Sequence, residues 1–74
     1  VPQSINIPLQ APFIELNQLL KVAGLCDSGG AGKQIVASGD VVVDGQRETR
    51  KTAKIRAGQV VSVGDVVIRV SAPV

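Results

Sequence analysis

The chain has no histidine, tryptophan, tyrosine or methionine, and only one cysteine, Cys26, and one aromatic ring, Phe13, among its 74 residues. Without histidine there is no zinc site of the usual Cys/His kind, and the lone thiol has no imidazole to activate it. The six carboxylates are scattered without a close pair, so general acid–base chemistry has no apparatus. These absences point away from an enzyme and away from any cofactor, metal or small-molecule substrate. An unpaired cysteine cannot close an internal disulfide, and Cys26 reads as a small buried residue at a helix corner. No apolar run approaches the roughly 18 residues of a membrane span, and the N-terminus lacks the layout of a signal peptide. The expected setting is soluble, cytoplasmic and away from membranes. A chain that starts at Val1 and contains no methionine is also expected to lack its initiator.

What is present is aliphatic. The hydrophobic share is 45%, almost all of it Val, Ile, Leu and Ala, which favours strands and a core without rings. Seventy-four residues make a single domain, 1–74, near the lower size for one self-sufficient core. Val1 to Pro12 holds three of the four prolines and one alternating piece, Ser4 to Ile7, suited to an edge strand of about four residues. Phe13, Leu16, Leu20 and Ala23 recur at helical spacing, so a helix is expected over Phe13 to Leu25. Pro12 suits its first position, Gly24 its end and Leu25 a Schellman stop; the spacing puts Phe13 on the core side.

A second, short helix is expected from about Gly29 to Ser38, capped by Asp27 or Ser28, stopped at Gly39, with Ala31, Ile35 and Val36 inward. From Asp40 onward the period becomes two, over Val41 to Val43, Gln59 to Val63 and Val66 to Val70. Gly64-Asp65 is a two-residue hairpin loop pairing Val63 with Val66 and Val61 with Ile68. Those four and Val70 form one buried face, Ser62 and Arg69 the other, and Ser71 to Val74 a tail. The expected fold class is α+β, in the order βααβββ, with two short helices packed on a small twisted, mostly antiparallel sheet.

Charge is uneven. Between Arg47 and Arg56 five Lys or Arg side chains meet one acid, so this stretch carries +4 while the whole chain carries +2 and the remainder −2. The Asp44-Gly45 turn ends a strand and opens this basic loop. Arg47, Arg50, Lys51 and Lys54 are diluted only by Glu48, and Thr49 and Thr52 add hydroxyl donors of the kind that contact phosphate. A charged run is commonly just solvated surface, but a field concentrated on one segment of a slightly acidic body also suits a polyanion.

Gly29-Gly30-Ala31-Gly32-Lys33 invites comparison with a phosphate-binding loop. That pattern needs glycine where Asp27 stands and Ser or Thr where Gln34 stands, and no strand precedes it. Nucleotide hydrolysis is excluded on those grounds. What remains is a helix start with exposed amides and Lys33 one turn in, an anion site by geometry. The competing reading is that these glycines only fit a tight helix–helix corner.

The string Glu15-Leu16, Leu19-Leu20-Lys21, Ser28-Gly29-Gly30, Lys33, Gly39, Val41, Val43-Asp44-Gly45, Glu48-Thr49-Arg50-Lys51 and Lys54-Ile55 resembles the alpha-L RNA-binding motif. That motif is the domain named after ribosomal small-subunit protein S-four, and the small free-standing YbcJ-like proteins are closer still. The resemblance covers about 13–70, with 1–12 and 71–74 as flanks. Gly32 stands where a better helix former is usual, and Asp44 where asparagine is common. The resemblance implies a monomer that binds structured RNA, ribosomal or transfer RNA among the candidates, without catalysis. Carried over by position, the contact set is Ser28, Gly29, Gly30, Lys33, Arg47, Thr49, Arg50, Lys51 and Lys54. The alternative is a protein–protein module that docks through the valine-rich C-terminal hairpin as a sheet edge.

Overall fold

The computed structural model describes residues 3–72. Two helices pack on a mixed, mostly antiparallel sheet of five strands, ordered β1-β7-β6-β3-β4. The strands are β1 (Gln3–Pro8), β3 (Val41–Val43), β4 (Gln46–Arg47), β6 (Val60–Val63) and β7 (Val66–Ser71). Only β1 and β7 run parallel. A separate two-stranded ladder joins β2 (Ile14–Glu15) to β5 (Lys54–Ile55). The helices are α1 (Leu16–Val22) and α2 (Gly29–Ala37). Leu16, Leu19 and Leu20 of α1, Val36 of α2, and Val41, Ile55, Val61 and Ile68 of the strands are each less than 2% exposed. The core is as aliphatic as the composition required.

The hairpin follows the expected register, with Val63 opposite Val66 and Val61 opposite Ile68. Its buried face is sealed at Val61, Ile68 and Val70, whereas Val63 and Val66, beside the turn, are half-buried and Arg69 is exposed. Ser71 continues β7 instead of starting a tail, because it pairs with Pro8; residues 73 and 74 lie outside the described range. The edge strand is six residues long where about four were expected. Gln3 N and Leu9 N donate across to Asp65 O and Ser71 O, so the intervening even positions turn their amides to the free edge. Pro8 falls on that outward set, where its missing N–H costs no ladder bond.

This topology removes the basis of the hairpin-docking alternative. β7 lies between β1 and β6, and β6 between β7 and β3, so neither hairpin strand has a free edge.

Helix α1 departs from the periodicity. It begins at Leu16, not Phe13, because Glu15 is extended (φ −69°, ψ 143°) and Ile14 and Glu15 pair with Ile55 and Lys54. The Glu15–Lys54 pair sets opposite charges across that ladder. Pro12 is therefore outside the helix, and no side chain caps its start. The end matches expectation: Gly24 (φ +84°) donates to Lys21 O at 3.0 Å, and Leu25 N reaches Leu20 O at 3.0 Å, the paired bonds of a Schellman stop. Helix α2 is capped by Ser28, whose Oγ accepts from Ala31 N at 3.1 Å. Its buried positions are Gly32 and Val36, with Ala31 and Ile35 only half-buried.

Asp44 and Gly45 both have positive φ (51° and 85°), the geometry of a two-residue hairpin turn, and Val43 pairs with Gln46. The strand does not simply end there; it doubles back as β4. Asp44 is held in that conformation by the neighbouring strand. Its backbone N donates to Val60 O (2.8 Å), and its carboxylate accepts from Val60 N (2.9 Å) and Gln59 Nε2 (3.0 Å). These bonds hold its carboxyl below the usual range, the Val60 amide contributing most.

Candidate nucleic-acid interface

The basic segment is tied to the start of α1. A helix leaves its first amides without intrahelical partners, and here carbonyls of the loop fill that role. Leu16 N donates to Ala53 O at 2.8 Å and Asn17 N to Lys51 O at 3.2 Å. This explains why a helix with neither proline nor a capping side chain at its start is still well terminated. The loop leaves β4 through Glu48, whose N donates to Val41 O at 3.0 Å. Arg50, Thr52, Ala53 and Lys54 then line a shallow recess of about 380 Å³.

The same Asn17 is where α2 meets α1. A methyl group on Gly32 would lie 2.5 Å from Asn17 O, so only glycine allows the two backbones this close. At Gly29 an added carbon would meet Gln18 Nε2 at 2.7 Å and Asn17 Nδ2 at 3.3 Å. Gly30 is different: its nearest neighbour would be Ser28 Oγ at 3.9 Å, ordinary contact distance. The helix-corner reading therefore holds for Gly32, which faces backbone; Gly29 meets the movable end of the Gln18 side chain, and Gly30 presents an open backbone. Ser28 satisfies Ala31 N and Gly32 N, and the amides of Gly29 and Gly30 have no hydrogen-bond partner among the described residues.

Asn17 is thus the joint between the basic loop and the α2 start. It is 2% exposed, and its Oδ1 has no partner among the described residues. Nothing in the sequence singled it out, because its position follows from two tertiary contacts and from no motif.

The expected contact residues divide accordingly. Ser28, Gly30 and Lys33 are exposed on the first turns of α2, and Thr49, Arg50, Lys51 and Lys54 are exposed along the loop and β5. Arg47 is exposed but belongs to the edge strand β4, opposite Val42, rather than to the loop. Lys54 carries a second contact, its Nζ lying 4.9 Å from the centroid of the Phe13 ring. Phe13 is consequently a half-buried residue beside the basic segment and not a core residue of α1.

By charge count Glu48 only dilutes the basic segment, yet it organises the loop. Its Oε1 accepts from Arg50 N (2.9 Å) and Nε (3.1 Å), and its Oε2 from Arg50 Nη2 (3.0 Å). These bonds hold the Glu48 carboxyl below its ordinary range, chiefly through the guanidinium. Among the described residues no three His, Cys, Asp or Glu side chains are grouped to hold a metal, and no helix is long and apolar enough to cross a membrane.

This chain, with two helices at a tight corner on a small sheet and a basic loop returning to the first helix, matches the profile of the S4 domain over residues 7–71. The chain belongs to the S4 domain family. Within it, the chain is 53% identical over 51 residues to YbcJ of Escherichia coli, covering 69% of this chain and 73% of that protein. An uncharacterised YbcJ of Shigella flexneri matches with the same identity and coverage. The solution structure of Escherichia coli YbcJ, described as revealing an alfaL motif involved in RNA-binding, superposes with a TM-score of 0.68. That superposition has 40% identity and covers 97% of this chain and 90% of that one.

Proposed function

We propose that this protein binds structured RNA, as a monomer and without catalysis, through the open first turn of α2 and the basic segment from Thr49 to Lys54. The observation that carries this reading is the convergence on Asn17. Through it, a helix start with two free amides and a loop bearing Arg50 and Lys51 become neighbours, although they are some 20 residues apart in sequence. Amides at a helix N-terminus and cationic side chains both favour phosphate, and together they suit an array of phosphates at fixed spacing. The single ring, already covered on one face, leaves stacking for at most one base, which favours hairpin or helical RNA over an unpaired strand. Membership of the S4 domain family and the likeness to YbcJ support the same direction.

The test is fluorescence anisotropy on an RNA hairpin, its unpaired strand and the DNA duplex of the same sequence at several salt concentrations. With about four phosphate contacts, log affinity falls against log salt with a slope of roughly −3 to −4. Arg50→Ala with Lys51→Ala lowers affinity for every RNA by about tenfold or more, reduces the slope by about 2, and leaves circular dichroism unchanged. Preference for the unpaired strand, or binding indifferent to salt, counts against the proposal.

A further inference from the structure

The geometry points to Glu48 as a positioning residue for RNA binding: an acid kept inside a basic loop because it aims Arg50, so that its presence strengthens affinity for a polyanion. This rests on the RNA-binding reading above and adds to it a residue which that reading leaves out.

Glu48 is well placed to fix another side chain. Its backbone is anchored to β3 through Val41 O, and its side chain is 17% exposed against 79% for Arg50, so the acid is folded in and the base held out. Three bonds to Arg50 fix both the backbone at Thr49–Arg50 and the guanidinium plane. Arginine carries five N–H donors in a rigid fork. The carboxylate takes one from Nε and one from Nη2, leaving three for a ligand. Arg50 also lines the recess formed with Thr52, Ala53 and Lys54, and Arg50 O accepts from Ala53 N at 3.3 Å, closing the turn that delivers Lys51 O and Ala53 O to α1. An exposed arginine without such a partner would have to give up its rotamer freedom on binding.

Two effects of Glu48 therefore oppose each other. As a charge it repels phosphate; as a clamp it removes an ordering cost and keeps the guanidinium in a bidentate geometry. The two predict opposite signs for one substitution. Glu48→Gln is nearly isosteric, keeps an acceptor for Arg50 N, and raises the net charge from +2 to +3. Charge alone would make it bind more tightly.

The experiment is a double-mutant cycle of Glu48→Gln and Arg50→Ala, read by anisotropy on one RNA hairpin at fixed salt, with thermal melting as the check of fold. The expected result is that Glu48→Gln weakens binding about three- to tenfold when Arg50 is present and tightens it up to about twofold in the Arg50→Ala background. Tighter binding in both backgrounds makes Glu48 a mere diluting charge, and equal weakening in both makes its role independent of Arg50. Either outcome overturns the inference. If Glu48→Gln fails to fold, Arg50→Lys is read instead; it keeps the charge but loses the fork, and affinity equal to the parent protein overturns the inference just as well. A parent protein that binds no RNA hairpin sinks the functional reading itself, which separates the two failures.

Discussion

The sheet and the helix–loop junction use the same device, a carboxylate accepting backbone N–H bonds, to different ends. Asp44 reaches Gln59 and Val60, 15 and 16 residues further on, and so staples one hairpin to the neighbouring strand. Glu48 reaches Arg50, two residues away, and organises the loop itself. The sheet is sealed by Val41, Val61 and Ile68, all 0% exposed, whereas the loop is held to the body by a few backbone bonds and leaves its cations in solvent. The contrast teaches where stability and binding are separable: changes in the sheet should cost folding, and changes to the exposed cations of the loop should cost affinity alone.

The largest effect that sharpens this division is Ile68→Ala. Truncating a fully buried residue on the central hairpin should cost about 2–4 kcal/mol, visible as a lowered urea midpoint. In so small a domain, that loss should take RNA binding with it only to the extent that the protein unfolds. If stability stayed unchanged, the sheet would not be the frame.

The next comparison sets two glycines of one helix turn against each other. Gly32→Ala pushes a carbon against Asn17 O and should destabilise by about 1–3 kcal/mol, as overpacked contacts between helices do. Gly30→Ala meets nothing closer than 3.9 Å and should stabilise by up to about 1 kcal/mol while lowering RNA affinity. Chemical melts and anisotropy on the two variants give opposite signs of stability if the helix corner is as described. Tighter RNA binding by the Gly30 variant would remove the helix start from the site.

The smallest effect is on pH. Asp44 and Glu48 both have carboxyls held below their ordinary values of 3.8 and 4.5. A depressed folded-state value means the stabilisation is complete above those ordinary values and is lost as pH falls through the lower folded ones. Stability should therefore be flat near neutrality and decline below about pH 4, with Asp44→Asn shallower there than the parent. Asp44 is exposed and Glu48 only half-buried, so the decline is modest. An Asp44→Asn profile parallel to the parent would show that the Val60 and Gln59 bonds do not depend on the charge.

Much of this was readable from residues alone, wherever the cause is local. The valine hairpin and its register follow from period two around Gly64-Asp65. The Schellman stop follows from Gly24 and Leu25, an α2 cap at Asp27 or Ser28 from the residue types there, and the charge asymmetry from counting. Each depends on chain neighbours within a few residues. The family resemblance likewise rests on short strings, and the family profile spans 7–71.

What only the tertiary structure decided came from contacts between distant segments. Phe13 fits a helical period, but Ile14 and Glu15 pair with Ile55 and Lys54 as a short ladder, so the helix starts at Leu16. Three glycines look alike in sequence, yet only Gly32 faces the backbone of Asn17, while Gly29 meets the end of the Gln18 side chain and Gly30 is open. Glu48 counts as one negative charge until its bonds to Arg50 are seen. Asn17, the residue that brings loop and helix start together, carries no motif. Its role is set by backbone hydrogen bonds and close packing, which depend on where the chain returns and on no property of asparagine itself.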